Sequence, residues 1–525
     1  MDSSFSARSV RLETGRLLLR PWTTEDLDDF YSYARIPGLG EMAGWPHHKN
    51  REESRKILEN FMAKDDVLAL VDRPSGRVIG SLGVHLPAYR LPLFLNHQRV
   101  WELGYALHKD YWGQGLMPEA VRALSSHLFM EEGANALVAY RHPDNCQSGR
   151  VMEKSGFLYN RILAGQETVR QEYILTREAY LVMTGQKPSF ESDYTAGCHP
   201  AILEDLIRTN QEETSGYGLD PYSEEARSLI RDACLQPAAH VHFLVGGTQA
   251  NLIAAAACLK PWQGVISADT GHINVHETGA IEATGHKVLV LPSGDGKIGV
   301  GDIDRFCQGL DEDPTREHMV QPGMIYLSQP TELGTVYSRE ELTAIRRVAD
   351  RWKLILYIDG ARLASALDQP APGLAEIARI AHLFTIGGTK CGALFGEALV
   401  ILEDRLKEDF RSLIKQRGGL LAKGRLLGLQ FAALFKDGLY YEIGRRQNAL
   451  ARRLAEGFTK AGIPFYAEPQ SNQIFVILTG EEEAAYRERA LFERIMPLSG
   501  GRAVCRFVTS YATSELHIDR LFLGS

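Results

Sequence analysis

The segment YIDGARL contains Asp359 and Arg362, and TIGGTKCGAL places Lys390 31 residues after that aspartate. Asp359 ends an apolar run, and Lys390 lies between two apolar segments. Lysine avoids burial unless it is paired or covalently used, and a carboxylate at the end of a buried strand needs a cationic partner. An amine that forms a Schiff base and a carboxylate that keeps a pyridine nitrogen protonated are the groups that pyridoxal 5'-phosphate chemistry requires. The pair therefore predicts a pyridoxal-phosphate site, with the alternative that Asp359 only caps the following helix.

A phosphate-binding turn is predicted upstream of this pair. The apolar strand HVHFLVGG runs into an alanine-rich helix, so Gly247 and Thr248 stand at a helix amino terminus, where backbone N–H groups bind anions. His272, in GHINVHETGA, follows the next predicted strand, at the end of the sheet where ligands collect in open α/β folds. We expect its imidazole to lie on the cofactor ring and to exchange protons with the substrate, although a histidine in a loop is often structural.

A second centre is predicted in WELGYALHKDYWGQGLMPEAV, where a strand leads through a glycine turn into an amphipathic helix. Gly113, Gln114 and Gly115 form that turn, and its glycines let consecutive backbone amides point at an anion such as a pyrophosphate. The same turn could also be a simple tight connection between strand and helix. Glu102, on the strand that enters the turn, is the candidate base for taking a proton from an attacking amine, with a surface acid as the alternative.

The composition limits the classes of protein to which the chain can belong. With 525 residues it is too long for one core, and 44% hydrophobic and 24% charged residues are typical of globular proteins. A net charge of -8 gives no basic field, so we expect no nucleic-acid partner. The seven cysteines form no CxxC pair, and the sequence lacks a long apolar run or a signal-peptide core. We therefore expect no metal site, no membrane span and a cytoplasmic location.

Local patterns in the first part of the chain predict individual elements. TTEDLDDFYSYA is typical of a helix that opens on a threonine cap with acids in its first turn, and REESRKILENFMAK has helical apolar spacing. RLLLRPW, VLALVDR and VIGSLGVHL are short apolar runs that predict strands.

Two pieces with different element patterns follow one another. Residues 1–183 have an α+β pattern, and residues 184–191 carry turn formers without periodicity, which predicts an exposed linker. Over residues 192–525 strands alternate with glycine turns and helices, the α/β pattern of a mostly parallel sheet with helices on both faces. We divide that piece into a large cofactor domain, 192–430, and a small C-terminal α/β subdomain, 431–525.

The first piece resembles the GNAT acetyltransferases of the ribosomal-protein N-acetyltransferase type. ETGRLLLRPWTTEDLDDFY, ELGYALHKDYWGQGLMPEA and NCQSGRVMEKSGF carry the resemblance, which covers residues 10–180. It implies a GNAT fold with acetyl-CoA as co-substrate, whose pyrophosphate is bound over Trp112 to Met117. It also implies that Asn145 and Ser148 contact the cofactor.

The second piece resembles the low-specificity threonine aldolases and related β-eliminating lyases of fold type I. GGTQAN, GHINVHETGA, LSQPTELGTVYS, DGARL and GGTKCGALFGEALV carry this resemblance within residues 190 to 510. It implies that Lys390 is the Schiff-base amine, that Asp359 contacts the ring nitrogen and that His272 stacks over the ring. The glycine-threonine turn is then the phosphate site.

The same resemblance implies a substrate site. Ser192, Arg362 and Arg506 match residues that grip the substrate carboxylate, a task that guanidinium forks suit well, and Arg362 also borders the cofactor. Holding the Cα–Cβ bond of a β-hydroxy-α-amino acid upright on the ring favours cleavage to an aldehyde and glycine. His272 is the first choice for the base that takes the hydroxyl proton, and His318 is the second.

The chain is therefore predicted to be a bifunctional enzyme, a pyridoxal-phosphate aldolase fused to an acetyl-CoA-dependent N-acetyltransferase. Its expected partners are amino acid and aldehyde substrates, an amine acceptor and further copies of itself in a homodimer or homotetramer. Tyr217, in SGYGLDP, is expected to approach the cofactor from the neighbouring subunit. The alternative is β-elimination, racemisation or transamination by the same residues, with the first piece acting as a regulatory acetyl-CoA binder. We also hypothesise that the acetyltransferase caps the amine of molecules that the aldolase makes or cleaves.

Overall fold

A computed structural model of the chain describes residues 5–92, 95, 98–164, 169–185, 187–367 and 371–522. The chain divides into two compact units, Met1–Gln186 and Lys187–Ser525. Within the described ranges, no helix combines the length and the apolar composition that crossing a membrane requires.

The first unit is a sheet with helices packed on it. Its strands are β1 Leu12–Glu13, β2 Leu17–Pro21, β3 Val67–Asp72, β4 Val78–His85, β5 Val100–Leu107, β6 Ala136–Arg141, β7 Leu158–Ala164 and β8 Val169–Thr176. Its helices are α1 Leu27–Ala34, α2 Leu39–Ala43, α3 Arg51–Lys64, α4 Leu116–Met130, α5 Cys146–Lys154 and α6 Arg177–Met183.

The strands of this unit form one sheet in the order β1-β2-β3-β4-β5-β6-β8-β7. Neighbouring strands are antiparallel except β5 and β6, which are parallel and paired only from Val100↔Ala136 to Glu102↔Val138. Beyond Glu102, β5 continues its pairing with β4, and β6 continues its pairing with β8. The sheet therefore opens between β5 and β6 just after Glu102.

Polar side chains mark the beginnings of α3 and of the turn that leads into α1. The Asn50 side chain accepts a hydrogen bond of 2.9 Å from Glu53 N and starts α3, whose bounds match the predicted helix. Thr23 and Asp26 form a capping box ahead of α1, so the predicted threonine cap first starts a short 3-10 turn.

The second unit contains a large sheet, a small sheet and the helices around them. Its strands are β9 His240–Leu244, β10 Gln263–Ala268, β11 Val288–Leu291, β12 Gln321–Ser328, β13 Ile355–Asp359, β14 Leu383–Gly387, β15 Glu397–Ile401, β16 Gln473–Thr479, β17 Glu493–Pro497 and β18 Arg502–Val508. Its helices are α7 Pro200–Arg208, α8 Pro221–Cys234, α9 Gly247–Cys258, α10 His272–Val275, α11 Val300–Glu312, α12 Arg339–Arg351, α13 Leu363–Ala366, α14 Leu374–Ile380, α15 Phe410–Gln416, α16 Arg425–Phe435, α17 Leu439–Lys460, α18 Gly480–Arg487 and α19 Glu515–Phe522.

The large sheet has the order β11-β10-β12-β13-β14-β15-β9. Its strands run in one direction except β15, which is antiparallel to both of its neighbours. Both faces are buried, because Ile325 and Leu327 of β12 pack on one side while Met324 and Tyr326 pack on the other. The predicted mostly parallel sheet with helices on both faces is confirmed.

The small sheet, β16-β18-β17, is antiparallel and packs with the carboxyl half of α17, α18 and α19. The predicted division at 430/431 is wrong, because it cuts α16, whose residues 427–435 are all buried. Because α16 is apolar on every side, its sequence does not indicate where one domain ends and the next begins. The predicted exposed linker is also wrong in its second half, because Phe190 is fully buried in the core of the small sheet.

Candidate active sites

Four predicted side chains of the second unit follow strands of the large sheet at the same edge. Thr248 comes after β9, His272 after β10 and Lys390 after β14, and Asp359 is the last residue of β13. Because these four strands are parallel to one another, their carboxyl ends meet at one edge of the sheet. The fold thus brings together residues that lie up to 142 positions apart in the chain.

Lys390 ends a turn that is fixed to the next strand. Gly388 N and Thr389 N donate to Gly396 O at 2.9 and 3.2 Å, and Gln447 Nε2 donates to Lys390 O at 3.2 Å. Burial, and then the positive charge of Arg362, lower the pKa of the Lys390 amine below its ordinary value. A lysine that loses its proton more readily is a better nucleophile at neutral pH.

Asp359 is buried and is held by neutral donors. Tyr326 Oη donates to Asp359 Oδ2 at 2.7 Å, and Asn251 Nδ2 donates to the same oxygen at 3.0 Å. Tyr357 Oη in turn donates to Asn251 Oδ1 at 2.6 Å, which fixes the orientation of that amide. Ala361 N donates to Asp359 Oδ1 at 3.0 Å, so the carboxylate also stabilises the local turn. Among the described residues Asp359 has no ion-pair partner, which leaves it able to face a cation from outside the chain.

His272 is joined to the same network. Its Nδ1 lies 2.8 Å from Glu277 Oε1, which also accepts a hydrogen bond of 2.7 Å from Asn251 Nδ2. The backbone N of His272 donates to Glu332 Oε1 at 2.8 Å. Burial by itself lowers the pKa of His272, but the hydrogen bond to Glu277 and the charges of Asp359 and Glu277 outweigh burial and raise it. Donation from Nδ1 to Glu277 leaves Nε2 free to accept a proton.

Gly247 and Thr248 begin α9, as the sequence predicts, with Gly246 at the cap. They line an open cleft together with Arg417, a residue that the sequence did not single out. The Gln249 side chain braces this cleft, because its Oε1 accepts from Val245 N at 3.2 Å and its Nε2 donates to Arg417 O at 3.3 Å. Helix-start amides beside an arginine suit a phosphate group.

Two predicted carboxylate-binding residues have polar atoms without a protein partner. The Ser192 Oγ and the Arg506 Nε are buried and make no hydrogen bond within the described part of the chain. The rest of the Arg506 guanidinium is held in place, since Nη1 donates to Gln473 Oε1 at 3.3 Å and Nη2 pairs with Glu493. Unsatisfied buried donors are costly and usually mark a place where a ligand or water binds.

Arg362 is engaged inside the protein. Its Nε and Nη2 donate to the two oxygens of Asp193 at 2.6 and 3.1 Å, and Asn472 Nδ2 donates to Asp193 Oδ2 at 2.9 Å. Burial alone raises the pKa of the Asp193 carboxyl, but the charges of Arg362 and Lys390 bring it below its ordinary value. This buried ion pair leaves Nη1 of Arg362 as the nitrogen available to a substrate.

Two predicted residues lie away from these contacts. Tyr217 has a left-handed φ of 58°, is 45% exposed and packs its ring 4.6 Å from Lys415 Nζ. Its backbone is held by Arg411 and Ala422 and by none of the residues around Lys390. His318, the second choice for a base, ends a turn ahead of β12, at the opposite edge of the sheet from the carboxyl ends. The structure therefore contradicts the His318 assignment.

Glu102 stands in the first unit where β5 and β6 separate. Its Oε2 accepts a hydrogen bond of 2.8 Å from Ala88 N. Burial raises the pKa of the Glu102 carboxyl above its ordinary value. A carboxylate whose pKa is raised, at the point where two strands separate, has the properties of a general base.

The glycine turn precedes α4, as predicted. Gly113 and Gly115 have φ of 77° and 75°, a left-handed region that glycine adopts without strain. Arg16 Nη1 donates to Gln114 O at 2.9 Å, and Arg16 Nε donates to Glu119 Oε2 at 2.8 Å, so the turn is tied to β2. The first N–H groups of α4 have no partner within their own helix, as at any helix start.

Asn145 and Ser148 have structural contacts of their own. Asn145 caps α5, because its Oδ1 accepts from Ser148 N at 3.1 Å, and its Nδ2 donates to Met42 O at 3.2 Å. Ser148 Oγ lies 2.9 Å from the Tyr105 hydroxyl on β5. The Asn145 side chain therefore joins α5 to α2, and Ser148 joins it to β5, while a role in cofactor contact stays a prediction.

A family model described as "Beta-eliminating lyase" matches residues 189–481, more than half of the chain. The chain belongs to the β-eliminating lyase family. A second model, described as "Acetyltransferase (GNAT) domain", matches residues 16–158, so the first unit is a GNAT domain. The predicted fusion, both fold classes and the assignment to two enzyme families are confirmed, and the first match supports pyridoxal phosphate as the cofactor of the second unit.

Individual relatives agree with these matches. A low specificity L-threonine aldolase from Pseudomonas aeruginosa is 30% identical over 354 residues, which cover 65% of this chain and 100% of that protein. A solved threonine aldolase structure from Leishmania major is 46% identical, with a TM-score of 0.62, and the match covers 64% of this chain and 98% of that one. An uncharacterized N-acetyltransferase, YoaA of Bacillus subtilis, is 25% identical over 157 residues, 29% of this chain and 85% of that protein.

Sequence reasoning missed the residues that hold the predicted ones in place. In the second unit these are Asn251, Tyr326, Tyr357, Glu332, Asp193 and Asn472. Tyr326 and Tyr357 lie within apolar strands and Asn251 lies in α9, but tyrosine and asparagine at such positions are common in ordinary cores and give little signal.

Proposed function

We propose that the chain is a bifunctional enzyme. The second unit catalyses the pyridoxal-phosphate-dependent cleavage and formation of β-hydroxy-α-amino acids, interconverting them with glycine and an aldehyde. The first unit transfers an acetyl group from acetyl-CoA to an amine. The aldolase activity rests on one observation, a buried Lys390 amine of lowered pKa at the same sheet edge as an Asp359 carboxylate that has no ion-pair partner in the part of the chain that the structure describes. The threonine aldolases among the relatives support the same reaction.

The residues at this edge fit pyridoxal phosphate. A Cβ built on Gly246 or Gly247 meets no atom within 4 Å, so the start of α9 has room for a phosphate. We assign the phosphate to Gly247 and Thr248, the ring nitrogen to Asp359 and the covalent bond to Lys390. Once bound, the cofactor supplies an electron sink for the electrons released when the Cα–Cβ bond breaks.

The side chains of the chain itself orient the substrate and move a proton. Ser192 Oγ, Arg506 Nε and the remaining nitrogen of Arg362 hold the substrate carboxylate, which fixes which bond at Cα is aligned for cleavage. His272 would border the bound cofactor, and its Nε2 accepts the proton of the β-hydroxyl group, while Glu277 holds Nδ1 and stabilises the imidazolium that forms.

Incubating the full chain with pyridoxal phosphate and L-threonine tests this reaction. Equal amounts of acetaldehyde and glycine support aldol cleavage. A 2-oxo acid without glycine indicates β-elimination or transamination, and a D-amino acid indicates racemisation. All of these reactions can use Lys390 and Asp359, so the products are what distinguishes them. Any of the other products in place of acetaldehyde and glycine would contradict the aldolase assignment.

Aldol cleavage is expected to rise with pH through an apparent pKa above the ordinary histidine value of about 6.5, because His272 must be neutral to accept a proton. Glu277→Gln removes a charge that stabilises the imidazolium, so we expect the rising limb to move to lower pH by roughly 1 unit. The measurement is kcat/KM for aldehyde release as a function of pH. Glu282→Gln, an exposed change five residues after Glu277 and outside the network, is the matched control. A limb that stays in place or moves upward in Glu277→Gln contradicts the role of His272.

Acetyl transfer is expected to depend on Glu102. Glu102→Gln keeps the size and the bond to Ala88 N but cannot take a proton, so kcat should fall by roughly 10²-fold with the KM for acetyl-CoA unchanged. The measurement is CoA release in the presence of a panel of amines. Glu59→Gln on the exposed face of α3 is the matched control and should behave as the parent chain. Binding of acetyl-CoA without transfer to any amine would instead indicate a regulatory domain.

We also propose that the chain assembles as a homodimer or homotetramer through its second unit. The exposed Tyr217 and Leu219, 45% and 65% accessible, support this proposal because large apolar side chains in one loop suit an interface. Light scattering of the parent chain and of Tyr217→Ala tests it.

Coupling of the two activities is a further part of the proposal. Its product is the N-acetylated amino acid that forms when the chain is given glycine, an aldehyde and acetyl-CoA together.

A further inference from the structure

A set of polar side chains shares one face of the first unit's sheet around the opening between β5 and β6. His85 on β4 is directly opposite Glu102 on β5, so both point to the same face. Val138 of β6 pairs with Glu102 and with Ile174 of β8. Because side chains alternate along a strand, Tyr140, two residues after Val138, and Arg170, four residues before Ile174, also lie on this face.

His85 is held in a defined orientation. Its Nδ1 lies 3.0 Å from Asp66 Oδ2, so donation to that carboxylate leaves Nε2 as an acceptor. The ring lies over Gly83, since a Cβ built there would be 2.3 Å from His85 Nε2. A Cβ built on Gly104, beside Glu102 on the next strand, would be 4.0 Å from the same nitrogen. The two glycines make room for an imidazole whose free nitrogen borders Glu102.

Arg170 supplies the positive charge of a guanidinium on this face. It makes no hydrogen bond or ion pair within the described part of the chain, and its Nη2 lies 3.6 Å from a Cβ built on Gly44, at the end of α2. The neighbouring Arg161 differs, because it pairs with the fully buried Glu172 at 2.9 Å. Arg170 is close enough to Glu102 to oppose the effect of burial on the pKa of that carboxyl.

The Tyr140 hydroxyl is a second unsatisfied group on this face. It is buried and has no hydrogen-bond partner among the described residues, while its ring packs edge-to-face on Tyr89 at 4.8 Å. A buried hydroxyl without a partner indicates a place where a polar ligand group or water binds.

We propose that this face is the acceptor site and that the acetyl acceptor is a free α-amino acid. The proposal rests on the acetyl transfer proposed above and names its substrate class. The carboxylate of the amino acid pairs with Arg170 and accepts a hydrogen bond from Tyr140, and its ammonium group lies between Glu102 and His85. A zwitterion satisfies both charges of the site, whereas a plain amine or a peptide amino terminus leaves the guanidinium without an anion. Glycine and the β-hydroxy-α-amino acids of the second unit belong to this class.

The transfer balances with the groups on this face. Glu102 first takes one proton from the ammonium while His85 Nε2 accepts a hydrogen bond from the same nitrogen, which gives a neutral amine held in place. The amine nitrogen then attacks the thioester carbonyl carbon, the carbon–nitrogen bond forms and the carbon–sulfur bond breaks. The second proton lost from nitrogen goes to the CoA thiolate, so the products are an N-acetyl amino acid, CoA and one proton released to solvent.

Substrate pairs that differ in the carboxylate test the proposal with the full chain. L-alanine, which cannot undergo aldol cleavage, is compared with ethylamine and with a peptide that begins with alanine, and CoA release is measured. We expect L-alanine to be the preferred acceptor. Arg170→Gln should raise the KM for L-alanine by about 10- to 100-fold with kcat changed by less than about twofold, and should leave ethylamine unaffected. His85→Gln should instead lower kcat, by about 10- to 100-fold, with KM unchanged.

Further variants separate this outcome from misfolding. Arg170→Lys keeps a cation and should recover part of the affinity for L-alanine, and Arg55→Gln, an exposed change on α3, should match the parent chain. The amino-acid site would be overturned if ethylamine and the peptide were acetylated as well as L-alanine, or if the KM for L-alanine were unchanged in Arg170→Gln. Acetyl transfer itself would still stand. No CoA release with any amine would overturn acetyl transfer and the acceptor assignment together.

Discussion

Replacing Lys390 by alanine is expected to lower aldehyde release from threonine by roughly 10³-fold or more, because the covalent attachment and the amine that moves protons are lost together. Arg362, whose charge acts on this buried amine, is bound to Asp193 and has no free amine with which to replace Lys390. The measurement is kcat for acetaldehyde formation at saturating pyridoxal phosphate. The same variant should lose the visible absorption of the bound cofactor.

Lys436→Ala is the matched control for this change, because Lys436 is exposed and lies beyond α16. It should keep both the absorption and the activity of the parent chain. Circular dichroism of Lys390→Ala checks that the loss does not come from unfolding. Activity within about tenfold of the parent chain in folded Lys390→Ala would contradict covalent catalysis at this residue.

Asp359→Asn is expected to lower kcat by roughly 10²- to 10³-fold while the cofactor still binds. Asparagine has the size of aspartate, and its single amide oxygen can still accept the hydrogen bonds of Tyr326 and Asn251, with the loss of the bond from Ala361 N, so the fold around β13 should persist. The negative charge that keeps a pyridine nitrogen protonated is lost, and with it the capacity of the ring to accept electrons. The measurements are kcat for aldehyde release and the absorption of bound cofactor in the same preparation.

Asp404→Asn, a change at an exposed loop carboxylate, serves as the control for the loss of one charge. Full activity in Asp359→Asn would show that the carboxylate only stabilises the β13 turn. Loss of both cofactor and fold would give the same low rate for a structural reason, which the absorption measurement distinguishes.

The residues with the strongest chemical demands could be predicted from the sequence. Lys390 and Asp359 stand at the ends of apolar strands, where a charged group is costly, so their positions alone indicate a function. Helix α3 could be predicted to the residue, because its asparagine cap and its apolar spacing agree.

The supporting network could not be predicted in the same way. Asn251 reaches Asp359 across 108 positions, and Tyr326 reaches it across 33. Nothing local in the sequence distinguishes these residues from ordinary polar groups in a core, because their partners are set by the order of strands in the sheet. His85 and Asp66 of the first unit, 19 positions apart, illustrate the same limit.

The wrong predictions have physical reasons as well. His318 was considered because of its residue type, but it precedes β12 and therefore lies at the amino-terminal edge of a parallel sheet. The role of Arg362 in holding a substrate carboxylate stays a prediction, but its sequence position does not show that Nε and Nη2 bind Asp193 and leave only Nη1 for the substrate. The exposed linker is shorter than predicted because Phe190 is buried in the core of the small sheet, whose other residues lie between Leu450 and Leu521.

The most direct test of the account is to locate the cofactor bond. Borohydride converts a carbon–nitrogen double bond between pyridoxal phosphate and a lysine into a stable single bond, after which the chain is digested and its peptides are weighed. We predict the added mass on the peptide that contains Lys390, and its absence from that peptide in Lys390→Ala. A modification on another lysine, or none on a chain that cleaves threonine, would contradict the central claim.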